Sequence, residues 1–222
     1  MVTGGGRIVD IGTDHAYIPM YLVETGVKER ALACDVNKGP LAIARDHIRA
    51  EGLEDSIETC LSDGLDAVDV LPGDSIVIAG IGGLLMKDIL ERGTAGLGIA
   101  GEMILQPQSD YREMRHFLAG RGIVIENEEA LIEDGKFYFV MRCLPGSEAY
   151  SLTEAEEEYG PKLLAKRHPV LRDYLWKQKQ INEDIISELN KQATAPGIEK
   201  RKNEILACLG LINKTLGDYY EM

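Results

Sequence analysis

The feature that most constrains this chain is RIVDIGTDHA, Arg7 to Ala16, an apolar run that stops at an acid, passes one glycine and leads into a helix-like segment. That order is strand, tight turn and helix start. It sets backbone N–H groups and the positive end of a helix at the rim of a sheet, where the polar end of a cofactor can be held. A dinucleotide fingerprint needs G-x-G-x-x-G, but here Gly12 stands alone, with Asp14 and Ala16 in the later small-residue places. A carboxylate repels a pyrophosphate. The acid-x-Gly-x-x-x-Ala turn from Asp10 to Ala16 suits a cofactor with an ammonium, a sulfonium and ribose hydroxyls, and S-adenosylmethionine meets that description. Capping of the next helix is the plainer use of Asp10 or Asp14.

The same arrangement recurs downstream. Arg30 to Cys34 reads as a second strand and ends at Asp35, which lies 23 residues after Gly12, close to the offset of about 20 at which an acid takes ribose hydroxyls in such folds. Ile57 to Leu61 is a third strand running into Ser62-Asp63-Gly64-Leu65, and Ser75 to Leu85, SIVIAGIGGLL, is a fully apolar strand followed by three glycines and a helix. Such a strand belongs at the centre of a parallel sheet. Met103 to Leu105 is a fifth strand ending in QPQ, and Tyr111 to Leu118 a helix. Ile123 to Ile125 and Phe137 to Met141 then follow without a helix between them, joined through an acidic stretch and a turn at Glu133-Asp134-Gly135. Five β/α units and a closing hairpin predict a seven-stranded, mostly parallel Rossmann-like α/β sheet with one antiparallel strand.

Leu144-Pro145-Gly146-Ser147 marks the expected boundary between a catalytic domain, residues 1–146, and an appendage, residues 147–222. Beyond it apolar residues keep 3-and-4 spacing from Tyr159 through Leu163, Leu171, Leu175, Ile181, Ile185 and Leu189, which reads as a long helix interrupted at His168-Pro169. Ala193 to Gly197 turns the chain, and Ile205, Cys208, Leu209, Ile212 and Leu216 carry a stripe back, giving an antiparallel, coiled-coil-like helical hairpin.

Net charge argues against nucleic acid only until it is divided by region. The chain carries −13, yet residues 1–146 hold 13 Lys and Arg against 24 Asp and Glu, while residues 147–222 hold 11 against 13. Lys162, Lys166, Arg167, Arg172, Lys177, Lys179, Lys191 and the run Lys200-Arg201-Lys202 can form a phosphate-tracking face on the hairpin, or a solvated face paired with its own acids. Four scattered cysteines without a C-x-x-C pair suggest neither a metal site nor a disulfide framework. No run has the apolar length of a membrane span and the N-terminus lacks a secretion signal, so a cytoplasmic protein is expected, with a monomer favoured.

With DIGTDHAYIP, GPLAIA, SDGL, AGIGG, LQPQ and GKFY in order, followed by YGPKLLAKRHPVL, the sequence resembles the bacterial TrmK family along nearly its whole length. The resemblance implies a class I methyltransferase that uses S-adenosylmethionine to modify N1 of adenine 22 in tRNA. It implies Asp10, Gly12, Asp35, Asp63 and Gly64 as cofactor-binding residues, with the AGIGG loop, Ala79 and Gly80 included, between cofactor and target base. Asp14, then His15, are the residues expected to touch the adenine. Three departures accompany it: the family's additional N-terminal helix has no counterpart here, AGIGG replaces AGMGG, and LQPQ replaces LQPN, moving the amide of Gln108 by one methylene. Methylation of a protein or small molecule, or a non-catalytic cofactor- or RNA-binding module, are the competing readings.

Overall fold

The computed structural model describes residues 1–3, 5–191 and 196–220. Its elements are β1 (Ile8–Ile11), α1 (Tyr17–Glu24), β2 (Ala31–Asp35), α2 (Lys38–Ala50), β3 (Ile57–Leu61), β4 (Ser75–Ile81), α3 (Gly83–Arg92), α4 (Thr94–Leu97), β5 (Glu102–Pro107), α5 (Tyr111–Gly120), β6 (Val124–Glu133), β7 (Lys136–Leu144), α6 (Glu154–Tyr159), α7 (Pro161–Ala165), α8 (Pro169–Asn190) and α9 (Pro196–Tyr220). The chain divides into two compact units, residues 1–128 with 139–152, and residues 129–138 with 153–222.

The seven strands form one sheet in the order β3-β2-β1-β4-β5-β7-β6. β1, β2, β3, β4 and β5 are parallel, and β7 joins β5 antiparallel. This is the topology expected of five β/α units closed by a hairpin. Every residue of β1 and β2 is buried, because helices cover both faces of a parallel sheet. Alternate residues serve different faces. Val9, Ile11, Leu32, Cys34, Ile76, Ile78, Met103 and Leu105 enter one core cluster, while Ile8, Ala31, Ala33, Val77 and Ile104 enter the other. Truncating one of these, Ile78→Ala for instance, would cost about 2–5 kcal/mol.

The hairpin strands are far longer than their apolar cores suggest, because the acidic stretch between them is itself strand. Glu128, within β6, is fully buried and accepts from Arg115 Nε of α5 at 2.9 Å, both side chains being 1% exposed. A paired charge thus sits inside a strand where the residue type alone reads as loop.

The second unit holds the tip of that hairpin with the C-terminal helices. The expected single break at His168-Pro169 is joined by another at Gly160-Pro161, where Gly160 has φ 97°, so the first long helix is three pieces. α8 and α9 run antiparallel: Asn182 Nδ2 lies 3.8 Å from Cys208 Sγ, and the Tyr220 hydroxyl donates to His168 O at 3.1 Å. On α8 the buried line passes through Leu171, Leu175 and Asn182 rather than Ile181, which is exposed. The amide of Asn182 donates to Gln178 O one turn back, which satisfies it there. On α9 Ile205, Ile212 and Leu216 are buried, whereas Cys208 is exposed. The turn expected at Ala193 to Gly197 lies largely outside the described residues.

Candidate active site

The parallel strands all end at one edge, and the loops leaving that edge enclose a cleft of about 410 Å³. Gly12 and Asp14 line it from the turn after β1, Asp35, Val36 and Asn37 from the end of β2, and Ser62, Asp63 and Gly64 from the loop after β3. Ile81, Leu85 and Ile89 add an apolar wall from the end of β4 and from α3. Polar groups on one side and aliphatic side chains on the other suit a ligand with a ribose and a flat base.

Of the residues expected at the site, the cleft brings together Gly12, Asp14, Asp35, Asp63 and Gly64. Asp10, His15, Ala79 and Gly80 do not line it. Asp10 is buried within β1, and burial pushes its carboxyl up to about 6; the Thr13 hydroxyl opposes that rise and the charge of Asp35 adds to it.

The turn itself is built differently from the simple picture. Gly12 N and Thr13 N both donate to Cys34 O at 2.9 Å, so these two amides tie β1's exit to β2 instead of facing a ligand. Gly12 has φ 76°, and a Cβ there would meet nothing, so conformation and not space demands the glycine. Asp14 and Ala16 are also left-handed, at φ 50° and 61°. Positive φ costs a non-glycine residue on the order of 1 kcal/mol or more, and such residues gather at functional turns. Asp14 does not cap α1: the N-cap is Ala16, and no side chain closes that end. The Asp14 carboxylate projects instead into the cleft, 65% exposed, with His15 Nε2 3.4 Å from its Oδ2.

The other acids have defined partners. Asp35 Oδ1 accepts from Asn37 N at 2.8 Å, which fixes the carboxylate at the end of β2. Asp63 Oδ1 accepts from Arg92 Nη2 at 2.9 Å, and the same guanidinium reaches Asp66, so a residue from the end of α3 clamps the loop after β3. Gly64 has φ 59°, and a Cβ there would come within 2.9 Å of Ile89, so both conformation and packing require its hydrogen. Ser62 holds the loop from within, its hydroxyl donating to Gly64 O at 2.8 Å and accepting from Ala67 N at 3.0 Å.

The glycine loop after β4 is a bulge. Ala79 pairs with Gln106 and Ile81 with Pro107, leaving Gly80, φ 77°, out of register. Its N–H donates to Gln106 Oε1 at 3.0 Å, and Gln106 Nε2 donates to Pro107 O. The amide that shapes this loop is therefore the first glutamine of LQPQ; Gln108 contributes its backbone N–H, to Ile81 O. Gly83 is obligatory for another reason, because a Cβ there would lie 2.5 Å from Ser109 O. Asn37, Ser62, Arg92 and Gln106 are not among the residues expected from the sequence. Of these, Ser62 and Gln106 lie inside the SDGL and LQPQ motifs at strand ends, the one local signal that points to them.

Among the described residues no group of three or more His, Cys, Asp or Glu side chains is placed to hold a metal ion, and no helix is long and apolar enough to cross a membrane.

Comparison with known proteins gives a consistent set of likenesses. The family model TrmK, described as tRNA (adenine(22)-N(1))-methyltransferase, matches residues 8–213. A Bacillus subtilis protein named tRNA (adenine(22)-N(1))-methyltransferase is 28% identical over 97% of this chain and 92% of its own length. Streptococcus pneumoniae Sp1610, solved in complex with S-adenosyl-L-methionine, superposes with a TM-score of 0.83 at 30% identity, over 96% of this chain and 94% of that one. TrmK of M. capricolum, solved with S-adenosyl-homocysteine, gives 0.84 at 26% identity, over 99% and 94%.

Proposed function

We propose that this chain, which belongs to the TrmK family of tRNA (adenine(22)-N(1))-methyltransferases, transfers a methyl group from S-adenosylmethionine to N1 of adenine 22 in tRNA. The observation that carries this reading is the cleft in which Gly12, Asp35 and Asp63, from three successive strand ends, face an aliphatic wall. The donor set fits the cofactor. Asp35, oriented by Asn37, would accept from ribose hydroxyls; Asp63 would accept from the cofactor's adenine amino group, with Gly64 admitting close approach and Ile81, Leu85 and Val36 covering the base. Asp10, buried in β1 and outside the cleft, would act on the cofactor's cationic end only through its charge.

The bound cofactor supplies an electrophilic methyl group on a sulfonium. N1 of adenine has an in-plane lone pair and is neutral near pH 7, so attack needs no prior deprotonation. What the protein must provide is alignment and stabilisation of the positive charge that grows on the adenine ring. Asp14 is suited to this, as an exposed carboxylate inside the cleft that does not cap α1, with His15 beside it. The edge carrying N1 is the base-pairing edge, so the adenine is unpaired or flipped before reaction.

The helical unit is the proposed tRNA-binding appendage, and its basic side chains divide into two groups. Lys166 donates to Glu129 and Lys177 donates to Gly135 O, so these two brace the hairpin tip. Lys200, exposed at the start of α9, is the better candidate for phosphate contact, with half-buried Lys202 and with Arg201, which lies 3.3 Å from Glu204, beside it. A tRNA substrate implies work in the cytoplasm.

Transfer of labelled methyl from S-adenosylmethionine to unmodified bulk tRNA, with the modified base mapped by nuclease digestion, tests this function. Label at N1 of adenine 22 is the expected result. Label appearing only in protein or metabolite pools would move the enzyme to another substrate class, and binding without transfer would leave a cofactor-binding module.

A further inference from the structure

An aromatic cluster adjoins the cleft at the turn after β1 and has no part in the cofactor site. The rings of His15, Tyr17 and His47 stand at nearly equal separations, 5.5 Å for His15 to Tyr17 and 5.6 Å for each of the other two pairs. Tyr17 lies stacked on His47 with an interplanar angle of 21°. His47, on α2, is fixed in turn by its Nδ1, 3.2 Å from His15 O, so that nitrogen carries the proton. Tyr17 is thus held from behind, yet it is 63% exposed. Tyr21, one helical turn further along α1, is equally exposed, and Ile18 lies between them in sequence, also exposed.

A contiguous aromatic surface left open to water marks an interaction site. Its position and the proposed function together define the occupant. The cluster is continuous with the proposed reaction site, because His15, one of its rings, lies 3.4 Å from the Asp14 carboxylate that lines the cleft. The substrate, on the function proposed above, must expose an adenine's pairing edge. That adenine's neighbours in the strand then lose a stacking partner on one side. An aromatic face beside the cleft is the chemical replacement for that lost partner.

We infer that Tyr17, backed by His47 and extended by Tyr21, is a stacking platform for a nucleobase of the tRNA strand immediately next to the target adenine. This rests on the tRNA function proposed above. The platform supplies binding and orientation, and no proton moves on it.

The test compares Tyr17→Leu, Tyr17→Phe and the unaltered full chain on unmodified tRNA. Base stacking on an aromatic side chain is worth about 5- to 150-fold per base. Tyr17→Leu should therefore raise KM for tRNA by about that factor with kcat and cofactor affinity nearly unchanged, and Tyr17→Phe should restore it. A second arm measures tRNA binding by anisotropy with an abasic residue on either side of the target adenine. At one of the two positions the abasic lesion should weaken the unaltered chain as much as Tyr17→Leu does, and the two changes should not add. Full additivity at both positions, an unchanged KM in Tyr17→Leu, or a loss in kcat alone would overturn the platform. Coupling without methylation would retain the platform and overturn the methyltransferase reading, so the two fail separately.

Discussion

Arg92 Nη2 lies 2.9 Å from Asp63 Oδ1, so the carboxylate proposed for the cofactor's adenine is already engaged by a cation from the far end of α3. The pair is exposed on both sides, so water and salt screen it and it adds little to stability. Its use is positional: it limits where the Asp63 carboxylate can point. Arg92→Ala should weaken cofactor binding by no more than about fivefold, with the difference fading as salt is raised. Calorimetry at low and high ionic strength checks this, and a loss that ignores salt would mean that Arg92 acts through packing.

Asp35→Ala should cost about 1–3 kcal/mol in cofactor affinity, the range for losing hydrogen bonds to a charged group. The geometry behind this is the 2.8 Å bond from Asn37 N, which holds one carboxylate oxygen and leaves the other for a ligand. Titration calorimetry on both proteins decides it. Equal affinities would remove Asp35 from the site.

Asp14→Asn should preserve the fold, since Asn tolerates the left-handed conformation at φ 50° and the side chain caps no helix. If the carboxylate stabilises charge on the adenine, single-turnover methylation falls by about 10²–10³, the span for losing one electrostatic contact to the transition state, while cofactor affinity changes far less. Rapid-quench kinetics at saturating cofactor is the measurement. An unaltered rate would make His15 the next position to test.

Asp10 gives a pH signature. Its folded-state pKa is raised from 3.8 to about 6 by burial, so the native state holds this proton more tightly than the unfolded chain does. The protonated carboxyl therefore contributes stability that is fully present at low pH and is lost as pH rises through 6. Two pKa units correspond to about 3 kcal/mol, so Asp10→Asn should gain up to about that much on the unaltered protein at about pH 7 and almost nothing below about pH 4. Urea denaturation of the cofactor-free protein at both pH values tests the sign. A variant whose advantage is the same at both would show that the ionised form carries no penalty.

Replacing Lys200, Arg201 and Lys202 together by Ala should weaken tRNA binding and flatten its log–log dependence on salt by about 2–3, because each phosphate contact releases close to one counterion. Cofactor affinity should stay the same. Filter binding across a salt series makes the measurement, and an unchanged slope would place the RNA contacts elsewhere.

The sheet and most of the cleft were legible because their signals are local. An apolar run ending in an acid and a glycine marks a strand's exit, and Gly12, Asp35, Asp63 and Gly64 all carry that mark. What escaped depends on pairing between distant residues. Glu128 reads as loop until Arg115 is placed against it, and Arg92 is an ordinary last-turn arginine until α3 folds back over the loop after β3. The sequence points to Gln108 and not to Gln106 because the bulge at Gly80 that turns Gln106 to it is a matter of register between strands. The aromatic cluster was invisible for the same reason, His47 lying 32 residues from His15.

The second unit draws its residues from two stretches, 129–138 and 153–222, so the chain passes from one unit to the other three times. The helical unit is therefore not a tail that can be cut away at one point, because the tip of the β6–β7 hairpin belongs to it. A stop codon after residue 152 would accordingly leave ten residues of the lost unit behind, with Phe137 deprived of the Tyr174 ring that meets it edge-on at 5.2 Å.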